Sequence, residues 1–283
     1  MGVKDLIKHL DGGLQERNIF VDCRGQTVAI DGHVWLHEFA RRHAVAWGRE
    51  DWVPIVDAVT QRAAHLLRAG IRTVFVFDGA PAPAKKATHD ARTERRAKAL
   101  ENFFRNQDGD GPEVPHAAVS VTWDLVSASI DALRAKGFTY YVAPYEGDGQ
   151  LAHLSLQGIV DAVFTVDTDL VVLGCARTYL KVNYYTGFAF LADQGKLPAP
   201  VPDDKSGSLN LRELMTLHGA LDVLRTYAVL AGCDYDTGGA RVGPAHALNL
   251  INEFGTDLQD IVKGGTRHRT IGSTGSGTVL SAS

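Results

Sequence analysis

The chain has 283 residues, 45% hydrophobic and 22% charged, enough for one large domain or two small ones around a sizeable core. No apolar run approaches the roughly 18 residues a membrane span needs, and Lys4, Asp5 and Lys8 interrupt what a secretory signal would require. Net charge is −4, which at first sight disfavours a polyanionic partner, but the distribution of charge decides more than its sum.

Between Lys85 and Arg105 seven basic residues (Lys85, Lys86, Arg92, Arg95, Arg96, Lys98, Arg105) face three acidic ones (Asp90, Glu94, Glu101), a local charge of +4 that leaves −8 for the remainder. Bound divalent cations would cancel much of that acidity. Cys23, Cys175 and Cys233 are odd in number and widely spaced, so a disulfide framework or zinc site is not expected and a reducing intracellular compartment is. Leu6 stands where an N-myristoylation motif after Gly2 needs Ser or Thr.

In chain order, Val28–Ile30 is a short apolar run ending at Asp31. Trp52 to Ala69 reads as a helix with Val56, Val59, Ala63 and Leu66 on one face and Gly70 as its stop. Thr73–Phe77 is a strand ending at Asp78. From Ala80 to Gly111 the sheet pattern is absent and charge is dense, which predicts a helical arch above the sheet. Trp123, Val126, Ile130 and Leu133 repeat at helical spacing before Gly137. Tyr140–Ala143 is the next strand, followed by Pro144 and Glu146; Leu151 and Leu154 mark a short helix stopped by Gly158. Ala162–Val166 is a further strand and runs into Asp167.

Residues 197–208 read as a loop, Asn210 to Phe254 as helical with turns at Thr237–Gly239 and Arg241–Pro244, and the Gly/Ser/Thr-rich stretch beyond Lys263 as a disordered tail. The expected organisation is a sheet core in two parts (1–79 and 123–196), a basic arch (80–122), the loop, a helical segment (209–262) and the tail (263–283).

Strands interleaved with helices predict an α/β fold with a mostly parallel sheet covered on both faces. Ligand sites in such sheets lie outside the carboxyl ends of the strands. Four strands ending in or just before Asp31, Asp78, Glu146 and Asp167 therefore place four acids at one edge. Asp169 points the same way as Asp167 if the chain stays extended between them. Glu146 and Asp148 would diverge on a helix, so they are expected where a loop runs into one. A single Asp more often caps a helix or starts a turn; four agreeing strand ends point instead to hard divalent ions such as Mg²⁺, which take oxygen ligands.

Seven ordered motifs then carry a resemblance: MGVKDL at the start, AIDGHVWLH at 29–37, FVFDGAP at 75–81, KKATHDARTERRAKA at 85–99, APYEGDGQLAHL at 143–154, TVDTDLVVLGC at 165–175 and AGCDYDTGGARVGPAHAL at 231–248. Over about residues 1–255 the chain resembles the flap-endonuclease superfamily of structure-specific 5′ nucleases, most closely the exonuclease 1 branch. The resemblance implies a PIN-like nuclease core with a helical arch and a C-terminal helix–two-turn–helix. It implies two Mg²⁺ ions, replaceable by Mn²⁺, one held by Asp31, Asp78, Glu146 and Asp148, the other by Asp167, Asp169 and Asp234.

By the same resemblance Lys85 and Arg92 are the catalytic pair of the arch. Gly2, His37, Arg95, Arg96 and Gly243 contact nucleic acid, with Trp35 beside His37 near a bend in the duplex. The resemblance also implies a K⁺ ion at the helix–two-turn–helix. The implied partner is DNA with a 5′ end, flap or nick, bound by a nuclear monomer that shows no sliding-clamp-binding peptide.

Arg241 departs from the Gly usual in the family, and Ala245–His246 replace the common Lys or Arg, which predicts an altered duplex grip. Gly147 and Gly149 replace usual alanines and predict a looser start to the helix behind Glu146. A non-catalytic nucleic-acid scaffold on the same fold would not be expected to retain all seven acids. An aspartyl phosphotransferase built on Asp167–Thr168–Asp169 leaves the basic arch unexplained.

Overall fold

The computed structural model describes residues 2, 3, 5–105, 115, 117–201, 209–233 and 242–271. In chain order come α1 (Leu6–His9), β1 (Gln15–Asn18), α2 (Ile19–Asp22), β2 (Thr27–Asp31), α3 (Gly32–Arg42), α4 (Ala44–Gly48), α5 (Val53–Arg68) and β3 (Arg72–Phe77). A 3₁₀ turn, Pro83–Lys85, leads into α6 (Lys86–Arg105), followed by α7 (Trp123–Ala135), β4 (Thr139–Val142), α8 (Gly147–Leu156), β5 (Ala162–Thr165) and the short α9 (Asp169–Val172). Then come β6 (Arg177–Leu180), β7 (Phe188–Asp193), α10 (Leu211–His218), α11 (Ala220–Ala231), α12 (Pro244–Phe254) and α13 (Leu258–Ile271).

The strands form a seven-stranded sheet in the order β1-β7-β6-β5-β2-β3-β4, mostly parallel, which is the α/β class the sequence predicts. The chain divides into two compact units, one of Arg17–Val166 with Lys181–Ala189, the other of Met1–Glu16, Asp167–Leu180 and Phe190–Ser283. Among the described residues no helix is long and apolar enough to cross a membrane.

In the larger unit β5, β2, β3 and β4 are parallel neighbours, with Ile30 beside both Phe75 and Phe164. Val28, Ala29, Ile30, Phe75, Val163 and Phe164 are buried, because central parallel strands are covered on both faces and so read as continuous apolar runs. α5 buries Ile55, Val59, Ala63 and Leu66. α7 starts at its Thr122 cap and buries Leu125, Val126 and Leu133. Trp123, expected in that apolar stripe, is 61% exposed; it occupies the first helical position, where the stripe has not yet reached the core.

Arg62 ties three elements of this unit together. It makes two 2.7 Å hydrogen bonds to the Glu38 carboxylate and lies over the rings of Phe39, Tyr184 and Trp35 at 4.1, 4.5 and 4.9 Å. The Trp35 indole N–H donates to the Tyr184 hydroxyl at 2.8 Å.

The smaller unit packs Val3, Leu6 and Leu10 with Val171, Leu180, Leu214, Leu224, Tyr227 and Ile251 in one core. β6 and β7 pair antiparallel, Tyr179 opposite Leu191. Asn210 and Glu213 form a reciprocal cap at the start of α10. The helical stretch expected from Asn210 onward is interrupted at Gly219, whose backbone at φ +92° ends α10. α13 runs to Ile271, past Lys263 where composition predicts disorder, and is anchored by the buried Ile261. Among the described residues no disulfide joins the cysteines. The expected turns at 237–239 and 241–244 fall largely outside the described residues.

Candidate active site

The larger unit presents three of the strand-end acids at the carboxyl edge of its parallel sheet. Asp31 closes β2 and also caps α3: its Oδ1 accepts the Val34 N–H at 3.1 Å, and its Oδ2 accepts the Thr165 hydroxyl at 3.4 Å from the end of β5. The commonplace role of Asp as a helix cap is thus real here. Asp78 follows β3. Its N–H donates to His33 Nδ1 at 3.0 Å, and its Oδ1 accepts the Gly147 N–H at 2.6 Å.

The chains beyond β3 and β4 are laced together. Gly79 N–H donates to the Tyr145 carbonyl at 2.6 Å and Ala80 N–H to that of Pro144 at 3.2 Å. A Cβ on Gly79 would lie 2.0 Å from the Ala143 carbonyl oxygen, so glycine alone permits this approach. It brings Asp78 towards Glu146 and Asp148. Glu146 is the N-cap residue of α8, in extended conformation, and Asp148 sits in the first turn, where the helix dipole favours negative charge. This is the loop-to-helix placement expected for the pair. A Cβ on Gly147 would lie 3.0 Å from Asp78 Oδ1, so glycine gives the Asp78 carboxylate room over the helix start.

Lys85 is buried, and its ammonium contacts Glu146 Oε2 and lies 3.6 Å from Asp148 Oδ2. Two of the proposed metal ligands already hold a cation. Along α6, Arg92 and Arg96 are half-buried while Arg95 is exposed, as residues on opposite sides of a helix should be. Burial, then the charges of Arg92 and Arg41, lower the pKa of Arg96.

His37 is held well below its ordinary 6.5, to about 4, by burial first and then by Arg41, His33, Arg96 and Arg92. Between those values the unfolded chain binds a proton that the folded chain refuses. Stability is therefore complete above pH 6.5 and falls as pH drops towards 4. The expected result is that His37→Asn flattens this part of the melting-temperature profile, read by thermal melts between pH 4.5 and 7.5. Trp35, 1% exposed, is packed in the core.

His33 was not legible as a site residue. Its Nδ1 accepts the Asp78 N–H, so the ring is neutral and the 3.6 Å approach to Asp78 Oδ2 is not an ion pair. Burial lowers its pKa more than Asp78 raises it, in agreement with that tautomer.

In the smaller unit the chain does not stay extended after β5. Thr168 adopts helical backbone, α9 begins at Asp169, and the Asp169 N–H donates to Asp167 Oδ1 at 3.0 Å. Asp167 and Asp169 nonetheless offer oxygens within 4.8 Å of each other. Asp169 is 4% exposed. Gly2, at φ +101°, packs its backbone against this turn; a Cβ there would lie 2.3 Å from Asp167 Oδ1 and Thr168 Oγ1. Gly243, at φ +83°, is the N-cap residue of α12, with Pro244 in the first turn; an added Cβ there would meet none of the described residues within 4 Å. Asp234 and Arg241, named by the resemblance, lie outside the described residues.

A parallel α/β sheet with acids along its carboxyl edge and a basic helix after β3 defines the flap-nuclease type of fold. Residues 1–99 match the XPG N-terminal domain and residues 137–234 the XPG I-region; the chain belongs to the XPG family, the superfamily its motifs indicate. It is 30% identical over 261 residues to exodeoxyribonuclease 1 of Schizosaccharomyces pombe, covering 90% of this chain and 43% of that one. It is 29% identical over 257 residues to exonuclease 1 of Xenopus laevis, covering 89% and 33%.

Among solved structures, the catalytic core of Rad2 in complex with DNA substrate superposes with a TM-score of 0.68 at 22% identity, over 97% of this chain and 76% of that one. Flap endonuclease-1 from Methanococcus jannaschii gives 0.62 at 24% identity, over 93% and 80%. The chain spans less than half the length of the two exonuclease relatives.

Proposed function

We propose that the chain is a structure-specific 5′ nuclease that hydrolyses DNA phosphodiester bonds at a 5′ end, nick or flap, as a 5′-to-3′ exonuclease, a flap endonuclease or both. The observation that carries this is the carboxyl edge of β2-β3-β4, where three parallel strands lead into Asp31, Asp78 and Glu146. The donor set is entirely carboxylate, which suits Mg²⁺ or Mn²⁺ rather than a softer ion. Glu146 and Asp148 already bind an ammonium, and the Asp167 and Asp169 oxygens are close enough to share one ion.

In this reading Asp31, Asp78, Glu146 and Asp148 hold one Mg²⁺, and Asp167, Asp169 and Asp234 the other. When bound, the pair supplies an activated water and charge neutralisation at the leaving oxygen. The protein's own groups do the positioning. The Gly147 N–H fixes Asp78 Oδ1, and the Asp169 N–H fixes Asp167 Oδ1. Lys85 and Arg92 oppose negative charge developing on the phosphate. Arg96 and neutral His37 face the same helix side as Arg92, while exposed Arg95 contributes at longer range. Backbone amides at Gly2 and at the α12 N-terminus after Gly243 meet phosphate, the latter with a K⁺ ion. DNA repair or replication in the nucleus, by a monomer, is the context that the exonuclease relatives suggest.

The test is purified protein with Mg²⁺ and 5′-labelled flap, nicked, blunt and single-stranded DNA. Short 5′ products from flap or nicked duplex, lost with a chelator, are expected. Cleavage only from 3′ ends, or cleavage indifferent to the chelator, contradicts the reading.

A further inference from the structure

The N-terminal segment grips the turn that carries Asp167 and Asp169, and one side chain makes the grip. Thr168, 4% exposed, lies between the two acids, and its Oγ1 accepts the Val3 N–H at 3.0 Å in a buried hydrogen bond between residues 165 positions apart. Gly2 comes so close that any Cβ would collide with both Thr168 Oγ1 and Asp167 Oδ1. Behind this contact Val3, Leu6 and Leu10 share a core with Val171 of α9. The Asp167–Asp169 hydrogen bond closes the turn from its other side. The turn is thus backed by the N-terminal segment, and Thr168 is the polar group through which the two are joined.

We infer that Thr168 is a positioning residue for the metal pair Asp167 and Asp169, an inference that rests on the metal role proposed for those acids. With its hydroxyl in place, the N-terminal backbone cannot withdraw, and Asp167 Oδ1 stays aimed at the Asp169 N–H. Without it the buried Val3 N–H loses its acceptor, the segment lifts, and both carboxylates gain freedom that metal binding must then remove. Groups that orient metal ligands in this way alter metal affinity by about 10- to 100-fold when replaced. The residue does not touch the ion or the substrate.

The experiment is calorimetric titration of the full chain with Mn²⁺ alone, without DNA, alongside thermal melts in chelator. Thr168→Val keeps shape and removes the acceptor; Thr168→Ser keeps the acceptor. Weakening of Mn²⁺ binding by about tenfold in Thr168→Val, with near-wild-type binding in Thr168→Ser, is expected. Gly2→Ala, which presses a methyl on the same turn, is expected to reproduce the loss and serves if Thr168→Val does not fold. Unchanged Mn²⁺ affinity in the folded variants, or equal weakening in Thr168→Ser, overturns the inference. Asp169→Asn separates the two levels: if it leaves Mn²⁺ binding intact, the metal reading itself fails, whatever Thr168 does.

Discussion

Asp169→Asn is expected to slow cleavage by about a thousandfold or more, the consequence of losing several kcal/mol of metal-supplied charge stabilisation. The protein is expected to remain folded. Asn has nearly the same volume at this buried position, and the backbone N–H of residue 169 keeps its bond to Asp167. One fewer negative charge in an acid-rich turn also relieves repulsion, so the melting temperature should hold or rise. Single-turnover cleavage of a 5′-flap duplex, with a parallel thermal melt, measures both. A variant that melts normally and cuts at the wild-type rate contradicts the role of Asp169.

The largest expected loss of stability comes from Arg62→Met. The guanidinium is 11% exposed and its partner carboxylate 32%, so removing it leaves Glu38 with Arg42 alone and takes the cation from among three rings. Losing the ring contacts and one arm of this half-buried pair costs about 2 kcal/mol, or roughly 4–8 °C in melting temperature. Burial alone would raise the Glu38 pKa, but hydrogen bonds and charge from Arg62, with help from Arg42, outweigh it and hold the carboxyl below its ordinary 4.5. A depressed carboxylate gives stability that is complete above pH 4.5 and lost as pH falls through the lowered value. The gap between wild type and variant should therefore narrow in acid. Adding Glu38→Gln to Arg62→Met should recover part of the loss at neutral pH; melts that show no loss in Arg62→Met sink the proposed tie.

Sequence pattern revealed Asp31 and Asp78 because the strands before them are largely buried, so each apolar run has a visible end; Glu146 follows β4, an exposed edge strand marked instead by its β-branched and aromatic residues. Asp148 followed from its place two residues after Glu146, and the structure puts it in the first turn of α8. Asp167 and Asp169 are expected from sequence to point the same way if the chain stays extended; the structure has instead a turn closed by a hydrogen bond, and their oxygens still lie within 4.8 Å of each other. His33 and Thr168 were illegible for a different reason. Their partners, Asp78 and Val3, are 45 and 165 positions away, and no local periodicity encodes such contacts. Trp123 and Gly219 show the same limit in the fold, since helical spacing marks a stripe but not where the core begins or where a backbone must turn left-handed. β6 escaped the strand pattern because it has only four residues; β7, Phe188–Asp193, escaped it although it has six residues and ends in Asp193.

The central claim is that the acids at the sheet edge hold metal, and anomalous scattering from Mn²⁺-soaked crystals tests it most directly. The account predicts two manganese peaks, one at Glu146 and Asp148 with Lys85 displaced, the other at Asp167 and Asp169. Crystals at saturating Mn²⁺ with no anomalous density at these carboxylates, and Lys85 still bound to Glu146, would contradict it.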